Sequence, residues 1–282
     1  MKKFLALTLS LAMALSLAAC GGSGSGSASS APAASSGVSS SAGDAGSSTG
    51  STSTPAELTT VEAGKLIMST NAAFPPYEMT DDSGNVVGID AEIAGAIAGK
   101  LGLELVIDDM DFDAAQLAVQ QGKSDICMAG LSVTEDRLLV MDFSDSYATG
   151  IQVVIVPEGS DVTLDNLGEQ LIGTQRATTG NIYCTDDYGE DHVIAYDDGI
   201  VAVQDLLNGK VDAVVIDKAP AQEFVAANPG LVILDTEYAN EDYAIGVAKG
   251  NTALVDAVNG ALAELTADGT IQSIIEKYIP AE

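Results

Sequence analysis

Only two arginines occur in the 282 residues, Arg137 and Arg176. Arg137 closes the run Ala129-Gly130-Leu131-Ser132-Val133-Thr134-Glu135-Asp136-Arg137, directly after a short apolar strand. Arginine joins a permanent charge to a planar fork that matches a carboxylate, so its use in a chain built otherwise on lysine marks a need for that geometry. Arg137 is a candidate clamp for a small carboxylate; the competing reading is a surface arginine paired with Asp136 or Asp142. Thr134 is placed to cap the helix that Arg137 enters, and Ser132 and nearby amides could bond the same carboxylate. Ala129 and Gly130 precede them, and glycine permits close approach of a ligand to the backbone. Asp217, before Lys218-Ala219-Pro220, offers a charge-assisted acceptor for an ammonium or, equally, a helix cap. An anion clamp and an ammonium acceptor are the two requirements of a zwitterionic amino acid.

Aromatic residues supply walls for its side chain. The loop Asn71-Ala72-Ala73-Phe74-Pro75-Pro76-Tyr77-Glu78 is ordered by its double proline, which sets Asn71, Phe74 and Tyr77 near a strand end. Phe112 is expected in a comparable loop, with core packing as the alternative for either phenylalanine. Gln175-Arg176-Ala177-Thr178-Thr179-Gly180 forms a third loop, where Gln175, Thr178 and Thr179 could meet the ligand or simply cap a helix. His192 is the sole histidine, so neither a Cys/His zinc site nor any other metal is expected. No glycine-rich phosphate signature is present in the third loop, and no cofactor is expected.

Strand-like and helix-like patterns alternate from Lys65 onward and predict an α/β fold with mostly parallel sheets. Strands are read at 65–69, 104–107, 125–128, 152–156, 171–174, 192–196, 212–216 and 244–248. Helices are read at 91–101, 114–121, 135–140, 200–208, 220–227, 253–267 and 271–278. An internal echo orders them: Gln121-Gly122-Lys123-Ser124-Asp125-Ile126 and Asn208-Gly209-Lys210-Val211-Asp212-Ala213 both read as helix end, lysine, aspartate and apolar strand. Five residues beyond each aspartate stand Gly130 and Asp217. Ligands of open α/β sheets gather at carboxyl ends of strands, so these two positions are expected to face one crevice.

The chain opens with Lys2, Lys3 and the apolar run 4–19, an export signal ending in Leu17-Ala18-Ala19-Cys20. Residues 20–56 are dominated by Gly, Ser, Ala and Thr and read as a flexible tether. The formal charge is −30, and loss of Lys2 and Lys3 would make it −32, which excludes nucleic acid as a partner and suits a solvated extracellular surface. Cys127 and Cys184 are expected in different lobes as unpaired thiols.

These residues resemble the polar amino-acid solute-binding proteins of ABC importers. The likeness runs from Lys65 to Ile279 through Phe74-Pro75-Pro76-Tyr77-Glu78, Gly88-Ile89-Asp90, the run ending at Arg137, Asp142-Phe143-Ser144, Gly173-Thr174-Gln175 with Thr178-Thr179-Gly180, and Asp217. Leu-Ala-Ala-Cys in turn resembles the bacterial lipobox, which implies an acylated Cys20 and anchorage to the outer face of the cytoplasmic membrane, or its periplasmic face in a diderm. The resemblance implies a type II periplasmic-binding-protein-like fold: lobe 1 at 57–149 plus 244–282, lobe 2 at 150–243, and a two-strand hinge near Gly150 and Tyr243. It places Arg137 on the ligand carboxylate, Asp217 on the ammonium, Phe74 and Phe112 around the side chain, and Ala129, Gly130, Ser132, Thr178 and Thr179 in supporting contacts. It further implies a monomer that hands one amino acid to a membrane permease. Ala177 stands where the family commonly has glycine, and Asn71 where binders of cationic side chains often carry aspartate, which favours an uncharged polar ligand. The alternatives are an extracytoplasmic receptor or adhesin, or a dehydratase-like enzyme on the same fold. For the last, only Glu78 offers a nearby general acid, and no Ser/His/Asp or Cys/His set surrounds His192.

Overall fold

The computed structural model describes residues 58–235 and 237–279; the leader, Cys20, the tether, Glu57 and residues 280–282 lie outside them. The chain alternates strand and helix as expected. Strand β1 (Lys65–Thr70) is followed by a small antiparallel sheet of β2 (Ala73–Phe74), β3 (Glu78–Thr80) and β4 (Val86–Val87). Then come α1 (Ile89–Leu101), β5 (Glu104–Asp109), α2 (Phe112–Gln120), β6 (Ile126–Cys127), α3 (Glu135–Val140) and the 17-residue β7 (Met141–Pro157). The second half contains β8 (Ile172–Gln175), α4 (Thr179–Tyr188), β9 (Val193–Tyr196), α5 (Gly199–Leu207), β10 (Ala213–Asp217), α6 (Lys218–Ala227) and β11 (Leu231–Ile233). The chain returns along β12 (Ala239–Ala248) and ends in α7 (Thr252–Ala267) and α8 (Thr270–Tyr278).

Two parallel groups are joined by an antiparallel pair. β5, β1 and β6 pair in parallel on one side, and β10, β8 and β9 on the other. Between them β12 and β7 pair with each other and run through both halves, which is the two-lobed α/β plan. β1 is buried along nearly its whole length, as a parallel strand covered on both faces must be. Helix α1 buries Ile89, Ile93 and Ile97, one turn apart, and ends at Gly102 in the left-handed conformation. On β7, Val153 and Ile155 enter one apolar cluster and Val154 and Val156 another, the period-two division of a strand between two layers. Cys127 and Cys184 are both free and buried.

Several elements differ from expectation. Phe112 does not sit in a loop; it opens α2. The strand read at 152–156 begins at Met141, and that read at 244–248 begins at Ala239. Both extensions are half-exposed and carry Ser, Asp, Thr, Asn and Glu, so they lack the apolar run that marks a covered strand. β12 also shifts register against β7 between Tyr243 and Gly246. Gly150 lies against the Tyr243 ring so closely that any side chain there would overlap it.

Candidate functional site

The carboxyl ends of the parallel strands converge on one cavity with two opposing walls. On one wall, Asn71 follows β1, Phe74 lies on β2, Phe112 follows β5, and Ala129, Gly130 and Ser132 follow β6, ahead of Arg137 on α3. On the opposite wall stand Gln175 at the end of β8, Thr178 and Thr179 at the start of α4, and Asp217 at the end of β10. The remaining sequence candidate, Tyr77, is elsewhere. It is buried behind Phe74, 5.9 Å from that ring and 5.2 Å from the Tyr243 ring, and lines a separate cleft with Gly150 and Lys218.

Arg137 is not the surface arginine of the competing reading. It is 6% exposed and is the one buried residue of α3, whereas its neighbour Leu139 is 75% exposed. An inverted helix of this kind is held by polar contacts. Thr134 Oγ1 accepts the Arg137 backbone N–H at 3.2 Å, a helix cap. The guanidinium Nε donates to Gln116 Oε1 at 3.1 Å, Nη1 to Ser132 O at 2.8 Å, and Nη2 across the cavity to Ala177 O at 2.9 Å. Its carbon lies 5.5 Å from the Phe112 ring centre. Asp142 pairs with Lys249 instead, and no carboxylate among the described residues forms an ion pair with Arg137. Burial lowers the guanidinium pKa, yet arginine keeps its charge in proteins. A covered cation without a protein counter-ion favours an anion in front of it. Ala177, whose carbonyl it reaches, adopts φ 61°, a left-handed conformation that glycine takes without strain and alanine does not.

Asp217 stands in a cluster rich in acceptors. Its Oδ2 accepts from Gln152 Nε2 at 2.8 Å and its Oδ1 from the Tyr243 hydroxyl. The same Gln152 Nε2 lies 2.9 Å from Glu241 Oε2 and 3.3 Å from Thr179 Oγ1, so two N–H groups face three oxygens. Thr179 in turn donates to Glu241 Oε2 at 2.8 Å. Glu241 Oε1 and Gln152 Oε1 are buried without hydrogen-bond partners. Burial pushes the Asp217 carboxyl up to about 7; the negative Glu241 adds to the rise, while Tyr243 and Gln152 oppose it. Such a surplus of acceptors is complementary to a group that brings only donors, as an ammonium does.

Glu78 lines the cavity and is wholly buried, with no conventional donor at either oxygen. It faces Asp90, which accepts the Gly130 N–H at 2.9 Å and the Tyr147 hydroxyl at 2.8 Å. Burial first, then the Asp90 charge, raises the Glu78 pKa far above the carboxylate range, and burial raises Asp90 to about 6. The shift favours the protonated form of Glu78. Gly130, at φ 53°, lets Phe74 approach the backbone closely: a β-carbon there would stand 2.7 Å from the ring.

Two further contacts cross the cavity. Gln175 Nε2 donates to Asn71 Oδ1 at 2.9 Å, and Asn71 Nδ2 donates to Asp198 Oδ1 at 3.3 Å. Reading the sequence alone passed over Gln152, Asp198 and Glu241. Gln152 had a signal, a lone amide in the apolar run Ile151–Val156. Glu241 shares a strand face with Tyr243, but their strand was read as starting later.

Residues 66–281 match the profile of bacterial extracellular solute-binding proteins, family 3. A probable histidine-binding protein of Neisseria gonorrhoeae is 31% identical, over 76% of this chain and 83% of its own. The ABC transporter arginine-binding protein 1 of Escherichia coli K12 is 30% identical, over 77% of this chain and 92% of its own. An ancestral arginine-binding protein bound to glutamine superimposes with TM-score 0.74 and 38% identity, covering 78% of this chain and all of that one.

Proposed function

Since the chain belongs to the bacterial extracellular solute-binding proteins of family 3, and so is an amino-acid-binding component of an ABC transporter and not an enzyme, we propose that it captures a single uncharged polar amino acid between its lobes. The observation that carries the reading is the opposition of one covered guanidinium, without a protein carboxylate, to a cluster of under-donated acceptors around Asp217. In this reading Arg137 binds the α-carboxylate with help from Ser132 and the Thr178–Thr179 turn, and Asp217 binds the α-ammonium. Phe74 and Phe112 pack on the side-chain carbons, Ala129 and Gly130 give the backbone floor, and Asn71 and Gln175 meet a polar side-chain end. The zwitterion bridges the lobes because its two charges are read from opposite walls; closure is the difference in its binding to the two arrangements.

The wider assignments belong to the same proposal. Residues 1–19 are a signal peptide, Cys20 carries the lipid, and residues 20–56 tether the binding unit to the membrane bearing its permease. Lobe 1 comprises 57–149 and 244–282, lobe 2 comprises 150–243, and a monomer delivers the ligand. A second reading, a cationic amino acid, is favoured by the arginine-binding relative and by the acidic Asp198 behind Asn71. Calorimetry of the mature chain against the twenty amino acids tests both. An uncharged polar amino acid is expected to bind tightest and to be recovered unchanged; tightest binding of arginine or lysine moves the assignment to the second reading. Binding by none of them, or turnover, overturns the proposal.

A further inference from the structure

We propose that Asp198 is a specificity-determining positioning residue: by orienting the Asn71 amide and placing a negative charge behind it, it makes the side-chain end of the cavity accept N–H donors and reject carboxylates. The inference rests on the amino-acid-binding reading of the same cavity and holds for an amide-ended or a cationic ligand alike.

The first observation is the placement of Asp198 at the N-cap of α5. Aspartate at that position ordinarily accepts a helix amide, but the Asp198 side chain makes no such bond. Its Oδ1 instead accepts from Asn71 Nδ2 on the opposite wall. A carboxylate is acceptor-only, so this contact fixes the amino end of Asn71 toward Asp198 and leaves Oδ1 to take the Gln175 N–H. Turning the Asn71 amide over would set its oxygen against the Asp198 carboxylate, acceptor against acceptor.

Location adds the second. In the parallel group, β10 pairs β8 and β8 pairs β9, with Gln175 opposite Tyr196. Asp217 ends β10 and lines the cavity; Asp198, two residues past Tyr196, lies behind the lining residue Asn71, so at about 4.8 Å per strand spacing the two stand roughly 10 Å apart along the rim formed by the strand ends. An amino acid held at its ammonium by Asp217 and extended along that rim points its side chain at Asn71, Gln175 and Asp198. Arg176 is engaged by the neighbouring Asp197 at 3.0 Å, and no lysine or arginine among the described residues forms an ion pair with Asp198. Its field is left for the ligand to meet, screened by one amide.

The test compares the isosteric pair glutamine and glutamate, with arginine as a third probe, by titration calorimetry at neutral pH. Mature wild-type chain, Asp198→Asn and Asp197→Asn are measured, with circular dichroism as a check on folding. Wild type is expected to bind glutamine about a hundredfold more tightly than glutamate, and Asp198→Asn to narrow that ratio about tenfold while weakening arginine. Asp197→Asn, which loses only a surface pair, should leave the ratio unchanged. A merely structural role for Asp198 would weaken all three ligands together. The inference is overturned by an unchanged ratio in folded Asp198→Asn, by wild type preferring glutamate, or by failure of both glutamine and arginine when another amino acid binds. Failure of every amino acid would sink the underlying reading instead.

Discussion

Arg137 spends its three nitrogens on Gln116, Ser132 and Ala177, so it is oriented as well as charged. Lysine can supply the charge but only one flexible donor position, and it cannot engage a carboxylate with two parallel bonds. Arg137→Lys is therefore expected to keep the fold and weaken amino-acid binding by about 1.5–3 kcal/mol, read as a change in Kd by calorimetry. An unchanged Kd would show that the site needs a positive point and no fork. The scarcity of arginine made this residue legible in the sequence, because residue type and position both survive without a structure. Glu78 was named there only as a general acid, and Glu241 and Asp198 could not be told from the rest in a chain with 41 acidic residues. What separates them from the solvated majority is burial, missing donors, or a cross-cavity partner, and none of these can be seen before folding brings distant segments together.

Helix α3 shows how an element serves its residue. Six residues are too few to be stable alone, and its apolar side chains face outward, so packing contributes little to holding it. The Thr134 cap is then a large share of its stability, and the amide it accepts is that of Arg137 itself. Thr134→Ala should lower unfolding free energy by about 1 kcal/mol in urea titration and also loosen the ligand. A loss of stability with no loss of affinity would separate the cap from the clamp. This helix was readable to its last residue because cap and boundary are local signals. Strands β7 and β12 were read short for the opposite reason: their crossing segments are stabilised by pairing with each other, Ala148 with Tyr243 and Gln152 with Ala239, and such long-range pairing leaves no apolar run. Gln152 and Glu241 sit on that pair, which is why half of the acceptor cluster around Asp217 was missed.

Across the whole molecule, three carboxyls are buried in or beside the cleft with raised pKa values: Asp217 to about 7, Asp90 to about 6, and Glu78 well above its ordinary value. Each lies above the value the unfolded chain would have, so the folded state holds protons that the unfolded state releases. The stability this contributes is fully present below about pH 4 and is lost as pH rises through about 6 and 7. Repulsion within a chain of formal charge −30 acts in the same direction. Asp142 and Asp205, held low by hydrogen bonds from Lys249 and Lys210, oppose it only at the acid end of the range. The free protein should therefore melt at progressively lower temperature between pH 4.5 and 7.5. A bound ammonium favours the ionised form of Asp217, so ligand affinity should rise with pH up to about 7, by at most about tenfold per pH unit, and then level off. The measurement is Tm by calorimetry at pH 5, 6, 7 and 7.5, with and without saturating ligand. The ligand-induced gain in Tm should widen toward pH 7; a gain independent of pH would mean that no ammonium meets Asp217, and the two-wall bridge that closes the lobes would lose one of its ends.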